Sequence, residues 1–326
     1  MTEPDAVKSV HYSVPEPEAK ALRALIEQLA EAGQGSVALA RSAARMSPLL
    51  PAGLLTLLRD FRSGSAQALR ISGLPVDIGR LPRTPVDAHS YVADAAAVIS
   101  LLGAALGDLY GFSAQQGGEL INDITPSPKS VDRGNISSGS REPFPFHTED
   151  TFNPCFPDYV IFLCLRNPDL VPLSVSAPTA PVPAELWDIL SGPRFVHRAS
   201  PSHGGGSVTS LPAPILFGEN GSSGIRINFA NLDTSSLGAE EVRAVEALGE
   251  MLRSNALDLS LAEADCVVLD NLRVVHGRKP FAARFDGSDR WLKRAIVSRD
   301  YRRLLAWSPE SSSRILGPPY ISARGL

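Results

Sequence analysis

The alternation of short apolar runs and turn residues after about residue 118 constrains the fold more than any other feature of the sequence. Short apolar runs are separated there by clusters of proline, glycine, serine, asparagine and aspartate, as at 120–121, 159–163, 225–227, 266–269 and 295–297. Apolar runs of this length, bounded by turn residues, are typical of closely spaced β-strands. The pattern therefore predicts an antiparallel β-sandwich or barrel, interrupted by helices near 182–191 and 239–256.

The part of the chain before this region is predicted to be mainly helical. Apolar residues recur at helical spacing in four segments, which are 18–31, 36–47, 51–62 and 86–109, whereas 67–73 alternates as a strand does. Farther along, a segment rich in glycine, serine and proline spans 199–223, between candidate strands. Its length and position favour a lid over a site, and a plain surface loop stays open as the alternative.

Composition and charge exclude several classes of protein. The 326 residues are 44% hydrophobic and 20% charged, as in ordinary globular proteins. The formal net charge of -4 offers no broad basic field for nucleic acid or an anionic membrane. Three cysteines are too few for a disulfide framework. Because the sequence carries neither a secretory signal pattern nor an apolar run of 18 residues, we expect a cytoplasmic protein without a membrane span.

The motif Phe146-His147-Thr148-Glu149-Asp150 is the first candidate for chemistry. On a strand, residues two apart face the same side, so His147 and Glu149 could bind one metal ion. Such a motif is weak alone, but a second histidine, His276, follows an apolar run and precedes Gly-Arg. Two histidines and one carboxylate on one face form the triad of non-haem iron(II) oxygenases, which leaves positions open for substrates.

Arginines downstream of His276 add a second requirement of that chemistry. Arg284, Arg290 and Arg294 follow within 18 residues, and Arg290 and Arg294 would share one face of a strand. An iron site that also binds a dicarboxylate co-substrate needs a fixed guanidinium, which grips both carboxylate oxygens and stays charged. The two segments together therefore favour an oxygenase over a chance arrangement of polar residues.

Two stretches, 146–169 and 269–294, resemble the clavaminate-synthase-like oxygenases that depend on iron(II) and 2-oxoglutarate. They are most similar to the subgroup that hydroxylates asparagine or arginine for peptide-antibiotic biosynthesis. The resemblance extends over about 118–300. It implies a mainly β fold with helices: a double-stranded β-helix (jelly-roll) core in 66–300, a helical extension in 1–65, and a single oxygenase domain over 1–326.

The resemblance also implies a role for each site residue. His147, Glu149 and His276 would be the catalytic iron ligands. Arg290 would bind the far carboxylate of 2-oxoglutarate, and Ser174 stands where the family often has a threonine that touches this co-substrate. The implied substrate contacts are Arg294 with the α-carboxylate of an amino acid, Asn122 with its amino group, and Glu149 and Asn228. Dioxygen would be the other co-substrate.

The activity implied by the resemblance is hydroxylation of C3 or C4 of an L-amino acid, which is either free or tethered to a carrier. Arginine hydroxylases carry acids in regions that match 198–201 and 226–231, where this sequence has none, so an uncharged substrate side chain is favoured. His203, in the predicted lid, is expected to be solvated.

Three alternatives stay open. A desaturase or cyclase of the same family, acting on a carrier-tethered amino acid, would share every motif. A zinc hydrolase would also suit two histidines and a glutamate, but it does not explain Arg290. A non-catalytic β-barrel binding protein would not explain why all three ligands and both arginines are present.

Overall fold

A computed structural model describes residues 7–31, 35–154, 156–203, 208–307 and 314–317. The strands are β1 (Ser9–Ser13), β2 (Ala68–Ser72), β3 (Asp108–Phe112), β4 (Ile121–Ile124), β5 (Phe144–His147), β6 (Tyr159–Arg166), β7 (Leu173–Ser176), β8 (Val196–His197), β9 (Leu216–Phe217), β10 (Gly224–Ile225), β11 (Leu232–Asp233), β12 (Leu257–Leu259), β13 (Cys266–Asp270), β14 (Val275–Arg278), β15 (Trp291–Ser298) and β16 (Ile315–Leu316). The helices are α1 (Glu16–Glu31), α2 (Ser36–Met46), α3 (Ala52–Ser63), α4 (Ala93–Leu106), α5 (Ala184–Leu190), α6 (Ala239–Ser254) and α7 (Tyr301–Trp307). None of the helices in these ranges is long and apolar enough to cross a membrane.

The larger of two main sheets has the strand order β1-β2-β13-β6-β15-β3-β16, and β4 also pairs with β15. Its central strands β6 and β15 are antiparallel and almost entirely buried. Alternate residues of β6 enter two different cores, because successive side chains of a strand face opposite sides. Ile161 and Leu163 pack on the helical side, whereas Val160 and Phe162 pack against residues of the smaller sheet, such as Leu173. The larger sheet is therefore covered on both faces.

The smaller sheet has the order β12-β7-β14-β5, with every neighbouring pair antiparallel. Its inner face packs on the larger sheet, and its outer face lies against α6, where the Ser176 hydroxyl donates to the Leu252 carbonyl oxygen at 2.7 Å. A third apolar cluster joins α5, α6 and the short strands β8 to β11. The mainly β fold class with helices is thus confirmed, with helices where the spacing predicted them near 182–191 and 239–256.

Helix α4 differs from its prediction. The segment 86–109 was expected to be one long amphipathic helix, but the helix spans only Ala93–Leu106 and is buried on nearly all sides. It lies between helices α1 to α3 and strands β6 and β15, so no polar face is needed. The chain leaves the helix at Gly107, where a Cβ atom would collide with the carbonyl oxygen of Ser298. The next residues form β3 of the larger sheet.

The N-terminal region packs more closely on the rest of the protein than a separate helical extension over 1–65 would. Strand β1 pairs in parallel with β2, and helices α1 to α3 share one apolar cluster with the larger sheet. In the predicted lid, 199–223, a 3-10 turn at Pro201–His203 precedes the short strand β9. Residues 204–207 of that segment lie outside the described ranges.

Candidate metal centre and substrate pocket

Two buried histidines and one buried glutamate converge between the sheets. His147 on β5 and His276 on β14 are cross-strand partners, and their ring centroids lie 4.3 Å apart. The Nε2 atom of His276 is 3.5 Å from Glu149 Oε1. One ligand atom from each of the three residues lies within 4.8 Å of the others, so the three could hold one metal ion.

The backbone that carries Glu149 is not the predicted strand. Strand β5 ends at His147, and Glu149 lies in the turn that follows it. The Glu149 amide donates to Asn271 Oδ1 at 2.8 Å, and Asn271 Nδ2 donates to the Pro157 carbonyl oxygen at 2.9 Å. The buried Asn271 amide therefore holds the turn. The side chains of His147 and Glu149 do come together, as predicted. The predicted reason, alternation along one strand, is wrong.

His147 is prepared to give a lone pair to a metal. Its Nδ1 lies 2.9 Å from the Pro145 carbonyl oxygen, which can only accept, so Nδ1 carries the proton and Nε2 is left as the ligand atom. Burial, followed by the nearby His276, lowers the pKa of His147 to about 3. The imidazole is therefore neutral at physiological pH, as a metal ligand must be.

Glu149 is held as a carboxylate by Arg294. Burial opposes its ionisation, yet the charge of Arg294 and the hydrogen bond from His276 outweigh burial and hold the pKa of Glu149 below its ordinary value. Arg294 donates to Glu149 Oε2 at 3.0 Å, and to Gln115 Oε1 and Asn122 Oδ1 at 2.9 Å each. The Arg294 Nε atom is buried and has no hydrogen-bond partner among the described residues.

The three converging side chains open onto a cavity of about 820 Å³, its mouth included. Arg290 lines the cavity, as do Phe162, Leu173 and Leu292. Burial lowers the pKa of Arg290 to about 10, so its guanidinium is still charged at neutral pH. Within the described ranges no acid and no hydrogen-bond acceptor pairs with it. A buried, uncompensated cation of this kind requires an anion from outside the chain.

Asn122 and Asn228 lie near the site with part of their hydrogen-bonding capacity already used. Besides its contact with Arg294, Asn122 donates through Nδ2 to the Glu119 carbonyl oxygen at 3.1 Å. Asn228 lines the pocket, and its Oδ1 accepts from the Ala230 amide at 3.1 Å. Asn228 is therefore part of the pocket wall, whereas Asn122 is connected to the site through Arg294.

Ser174 does not line the pocket, contrary to its predicted contact with 2-oxoglutarate. Its hydroxyl donates to Asp258 Oδ1 at 2.6 Å, on the opposite face of β7 from Leu173. Leu173 is the residue of this strand that lines the cavity, because side chains alternate along it. The alignment to the family threonine placed the hydroxyl on the wrong face.

Three residues of the site have no signature in the sequence. Gln115 lines the pocket and binds Arg294, and Asp150 lines it directly after Glu149. His203 was expected to be solvated, but it is buried and lies 2.8 Å from Asp150. The only local signal was the position of Asp150 beside the His-x-Glu motif. Gln115 and His203 come close through the fold, which spacing does not reveal.

The fold and the site together define a class of protein. Two imidazoles and one carboxylate gathered on one side are the donor set of mononuclear non-haem iron(II) sites, and an unpaired buried guanidinium in the same pocket suits a dicarboxylate. The nitrogen and oxygen donors of the three residues fit iron, and the unpartnered Arg290 fits the carboxylate of 2-oxoglutarate.

Comparison with known proteins agrees with this class. Residues 196–296 match the family described as taurine catabolism dioxygenase TauD, TfdA family. The chain is 32% identical over 302 residues to an L-ornithine/L-arginine 3-hydroxylase of Catenulispora acidiphila, covering 82% of this chain and 87% of that protein.

Two solved structures are similar over nearly the whole length. An asparagine oxygenase in complex with Fe(II), 2S,3S-3-hydroxyasparagine and succinate has a TM-score of 0.88 and 28% identity, covering 94% of this chain and 99% of that one. The non-haem iron oxygenase OrfP in complex with Fe and α-ketoglutaric acid has a TM-score of 0.85 and 33% identity, covering 95% of this chain and 100% of that one. The chain belongs to the clavaminate-synthase-like group of iron(II)- and 2-oxoglutarate-dependent oxygenases. It is an enzyme, a non-haem dioxygenase that uses iron, 2-oxoglutarate and dioxygen.

Proposed function

We propose that this oxygenase hydroxylates an unactivated carbon, C3 or C4, of a free L-amino acid in natural-product biosynthesis. The observation that carries the proposal is a pocket in which two histidines and a glutamate converge between two arginines, Arg290 and Arg294. The names of the similar proteins, which concern ornithine, arginine and asparagine, support an amino acid as the substrate.

His147, Glu149 and His276 are the iron ligands in this proposal. Bound iron, together with 2-oxoglutarate and dioxygen, supplies oxidative decarboxylation of the co-substrate and transfer of one oxygen atom to carbon. The chain supplies orientation. The Pro145 carbonyl oxygen fixes the His147 ring, and Asn271 fixes the turn that carries Glu149, so the ligands are held before any metal arrives.

Arg290 binds the far carboxylate of 2-oxoglutarate. Its guanidinium can donate to both oxygens of one carboxylate. Phe162, Leu173 and Leu292 provide an apolar wall for the carbon chain. Excluding water there strengthens the ion pair and keeps the co-substrate in one orientation. This role also explains why a charged guanidinium is buried without a partner from the described chain.

Arg294 binds the α-carboxylate of the amino acid through its unpartnered Nε–H, while Glu149, Asn122 and Asn228 offer oxygen acceptors that suit the α-ammonium group. With the α-carbon fixed by these contacts, the next carbons, C3 and C4, come closest to the metal.

The two facing sheets form the double-stranded β-helix of the family, and the whole chain, 1–326, acts as one oxygenase domain with 199–223 as its lid. The substrate is the free amino acid rather than one tethered to a carrier. The enzyme works in the cytoplasm.

Succinate release tests the proposed function. Protein loaded anaerobically with iron receives 2-oxoglutarate, air and one amino acid at a time, and product mass is read in parallel. One amino acid should stimulate succinate release and gain roughly sixteen mass units, one oxygen atom. Glu149→Ala should abolish both signals, and Glu246→Ala, which removes an exposed glutamate of α6, should leave them unchanged.

Other outcomes identify the alternatives. A loss of two mass units would indicate desaturation or ring formation. Turnover that needs a carrier-bound substrate would contradict the free amino acid. Turnover that needs zinc but neither iron nor oxygen would indicate a hydrolase, and the absence of any turnover with iron and 2-oxoglutarate bound would favour a binding protein.

A further inference from the structure

A buried acid on the pocket wall takes no part in the contacts proposed above. Asp150 directly follows Glu149 and lines the cavity, and His203 ends the 3-10 turn within the lid. His203 Nε2 lies 2.8 Å from Asp150 Oδ1, and the two side chains are only 1% and 4% exposed. The same Nε2 atom lies 2.9 Å from Gln115 Nε2, and because a carboxylate can only accept hydrogen bonds, the Nε2–H group of His203 donates to Asp150.

The histidine is itself fixed by aromatic neighbours. Its ring centroid lies 4.6 Å from that of Phe112 and 4.6 Å from that of Phe152. Rings packed on two sides cannot turn freely in a close-packed interior. Since one carboxylate oxygen of Asp150 is bound to this ring, the direction of the other oxygen is also fixed.

That second oxygen, Asp150 Oδ2, is buried and has no hydrogen-bond partner in the described part of the chain. The residue also has a φ of 52°, in the left-handed region that non-glycine residues rarely adopt. A buried acceptor without a donor and a strained backbone both cost stability, and such features concentrate at ligand sites. A donor from a bound molecule would satisfy the acceptor.

Uncharged groups line the same pocket. Ser200, Ser202, Asn228 and Asn231 contribute hydroxyl and amide groups. Arg198 also lines the pocket and is paired with Asp233 at 3.0 Å, while Arg294 is linked through Gln115 to His203. The pocket therefore offers the Asp150 carboxylate as an acceptor and the Arg198 guanidinium as a donor.

We infer that Asp150, positioned by His203, selects the substrate by accepting a hydrogen bond from an uncharged N–H group at the end of its side chain, such as a carboxamide or a ureido group. The inference rests on the proposed function. An anionic side chain would be repelled by Asp150, whereas a cationic one would lie in a pocket that already carries Arg198, Arg290 and Arg294. A carboxamide donates to Asp150, and its oxygen accepts from Arg198 or Asn231, so no buried group is left unpaired.

The test compares kcat/KM for uncharged, cationic and anionic amino acids in the iron-loaded enzyme: asparagine, glutamine and citrulline against ornithine, lysine and arginine, and against aspartate and glutamate. The wild-type enzyme should prefer an amino acid of the first set by roughly tenfold or more, the discrimination expected of a buried hydrogen-bonded group. Preference for a cationic or an anionic amino acid would overturn the inference and leave the proposed function standing. Turnover with no amino acid at all would contradict the proposed function itself.

Asp150→Asn makes the sharper measurement. The amide oxygen accepts from His203, so an N–H donor replaces the acceptor at the Oδ2 position. The ratio of kcat/KM for a carboxamide substrate over the corresponding acid, such as asparagine over aspartate, should fall by roughly tenfold to a hundredfold. The KM for 2-oxoglutarate should not change, because Arg290, which binds that co-substrate in the proposed function, is left intact.

Two further variants separate selection from folding. His203→Phe keeps a ring between Phe112 and Phe152 but removes the donor to Asp150, so the same ratio should fall while the protein stays folded. Asp265→Asn removes a comparably buried carboxylate that is paired with Arg70 away from the pocket, and it should leave the ratio unchanged. An unchanged ratio in active Asp150→Asn enzyme would refute the role of Asp150.

Discussion

At the scale of single residues, Arg290 keeps a charge in a place where the described chain offers it no partner. Burial of an unpaired charge is expensive, and an apolar residue of similar volume is often more stable there. The same charge becomes favourable once a carboxylate lies against its fork. Arg290 therefore lowers the stability of the ligand-free enzyme and raises its affinity for the co-substrate.

Replacement of Arg290 by methionine tests both effects, on stability and on affinity for 2-oxoglutarate. In Arg290→Met the free energy of unfolding of the ligand-free protein should rise, by roughly 1 to 4 kcal/mol, because an uncompensated buried charge is gone. The affinity for 2-oxoglutarate should fall at least about a hundredfold, since a charge-assisted buried pair is lost. Denaturant titration and 2-oxoglutarate binding measure the two effects.

Arg284→Met is the matched control for that variant, because Arg284 is half-exposed and is paired with Asp169 at 2.6 Å. Its stability should change by less than about 0.5 kcal/mol and its affinity for 2-oxoglutarate should stay unchanged. A destabilised Arg290→Met protein would mean that the guanidinium has a structural partner in the ligand-free enzyme.

His197 makes the stability of the protein sensitive to acid. Burial, followed by the charge of Arg226, lowers its pKa to about 3, and neither ring nitrogen has a partner within the described residues. The neutral form is therefore favoured in the folded state. Its contribution is present above the unfolded pKa of about 6.5 and is lost as the pH falls towards 3.

Unfolding measured between pH 7 and pH 4 should show this dependence. His197→Leu should remove up to about 1.4 kcal/mol per pH unit from the slope of stability against pH below 6.5. His11→Leu, at an exposed residue, is the control and should keep the wild-type slope. Equal slopes in wild type and His197→Leu would show that His197 is charged in the folded protein.

At the scale of secondary-structure elements, the pairing of β4 with β15 decides which side chains enter the pocket. Arg294 pairs with Asn122 across these strands, and Lys293 pairs with Asp123 one residue away. Consecutive residues face opposite sides, so a slip by one residue would pair Arg294 with Asp123 or Ile121 instead of Asn122. Lys293 Nζ lies 2.6 Å from Asp123 Oδ1, with the side chains 1% and 2% exposed. This buried pair favours the register that places Arg294 in the site.

Breaking that pair should harm substrate binding more than co-substrate binding. Lys293→Met leaves the Asp123 charge buried and should cost roughly 3 to 5 kcal/mol of stability and raise the KM for the amino acid. Asp123→Asn combined with Lys293→Met removes both charges and should recover most of the stability. Chemical unfolding and separate KM values for amino acid and 2-oxoglutarate measure these effects.

Lys279→Met, at an exposed pair with Asp258, is the control and should change stability by less than about 0.5 kcal/mol. If the double variant were no more stable than Lys293→Met, the pair would not act as a unit.

The sequence predicted elements well where one face is polar and the other apolar. The buried residues of α1 and α6 recur at helical spacing, so both helices were predicted correctly. Helix α4 has no polar face, and its bounds were wrong for that reason. His147 and His276 were predicted as partners from residue chemistry, but Glu149 is held by Asn271, a contact over 122 residues that periodicity cannot reveal. The turn and lid contacts of the pocket stayed hidden for the same physical reason.

At the scale of the whole molecule, the pocket is assembled from both sheets. His147 and His276 belong to β5 and β14 of the smaller sheet, whereas Arg294 lies on β15 of the larger sheet and Arg290 directly precedes it. Metal and co-substrate would therefore connect two layers that are joined directly by apolar contacts and by the Arg294–Glu149 ion pair. Ligands that bind the native state stabilise it by mass action, and ligands that bridge two layers stabilise the molecule as a whole.

Stepwise loading with a divalent metal and 2-oxoglutarate, in the absence of oxygen, should raise the Tm in two increments. At one hundred times the Kd each ligand contributes about 2.7 kcal/mol, which is roughly 5 °C for a chain of this size. Glu149→Ala should lose the metal increment and, with it, the 2-oxoglutarate increment, because the metal forms half of the co-substrate site. Arg290→Lys should keep the metal increment and lose most of the second, since an ammonium cannot grip both carboxylate oxygens. A full 2-oxoglutarate increment without metal, or in Arg290→Lys, would mean that the co-substrate binds elsewhere in the molecule.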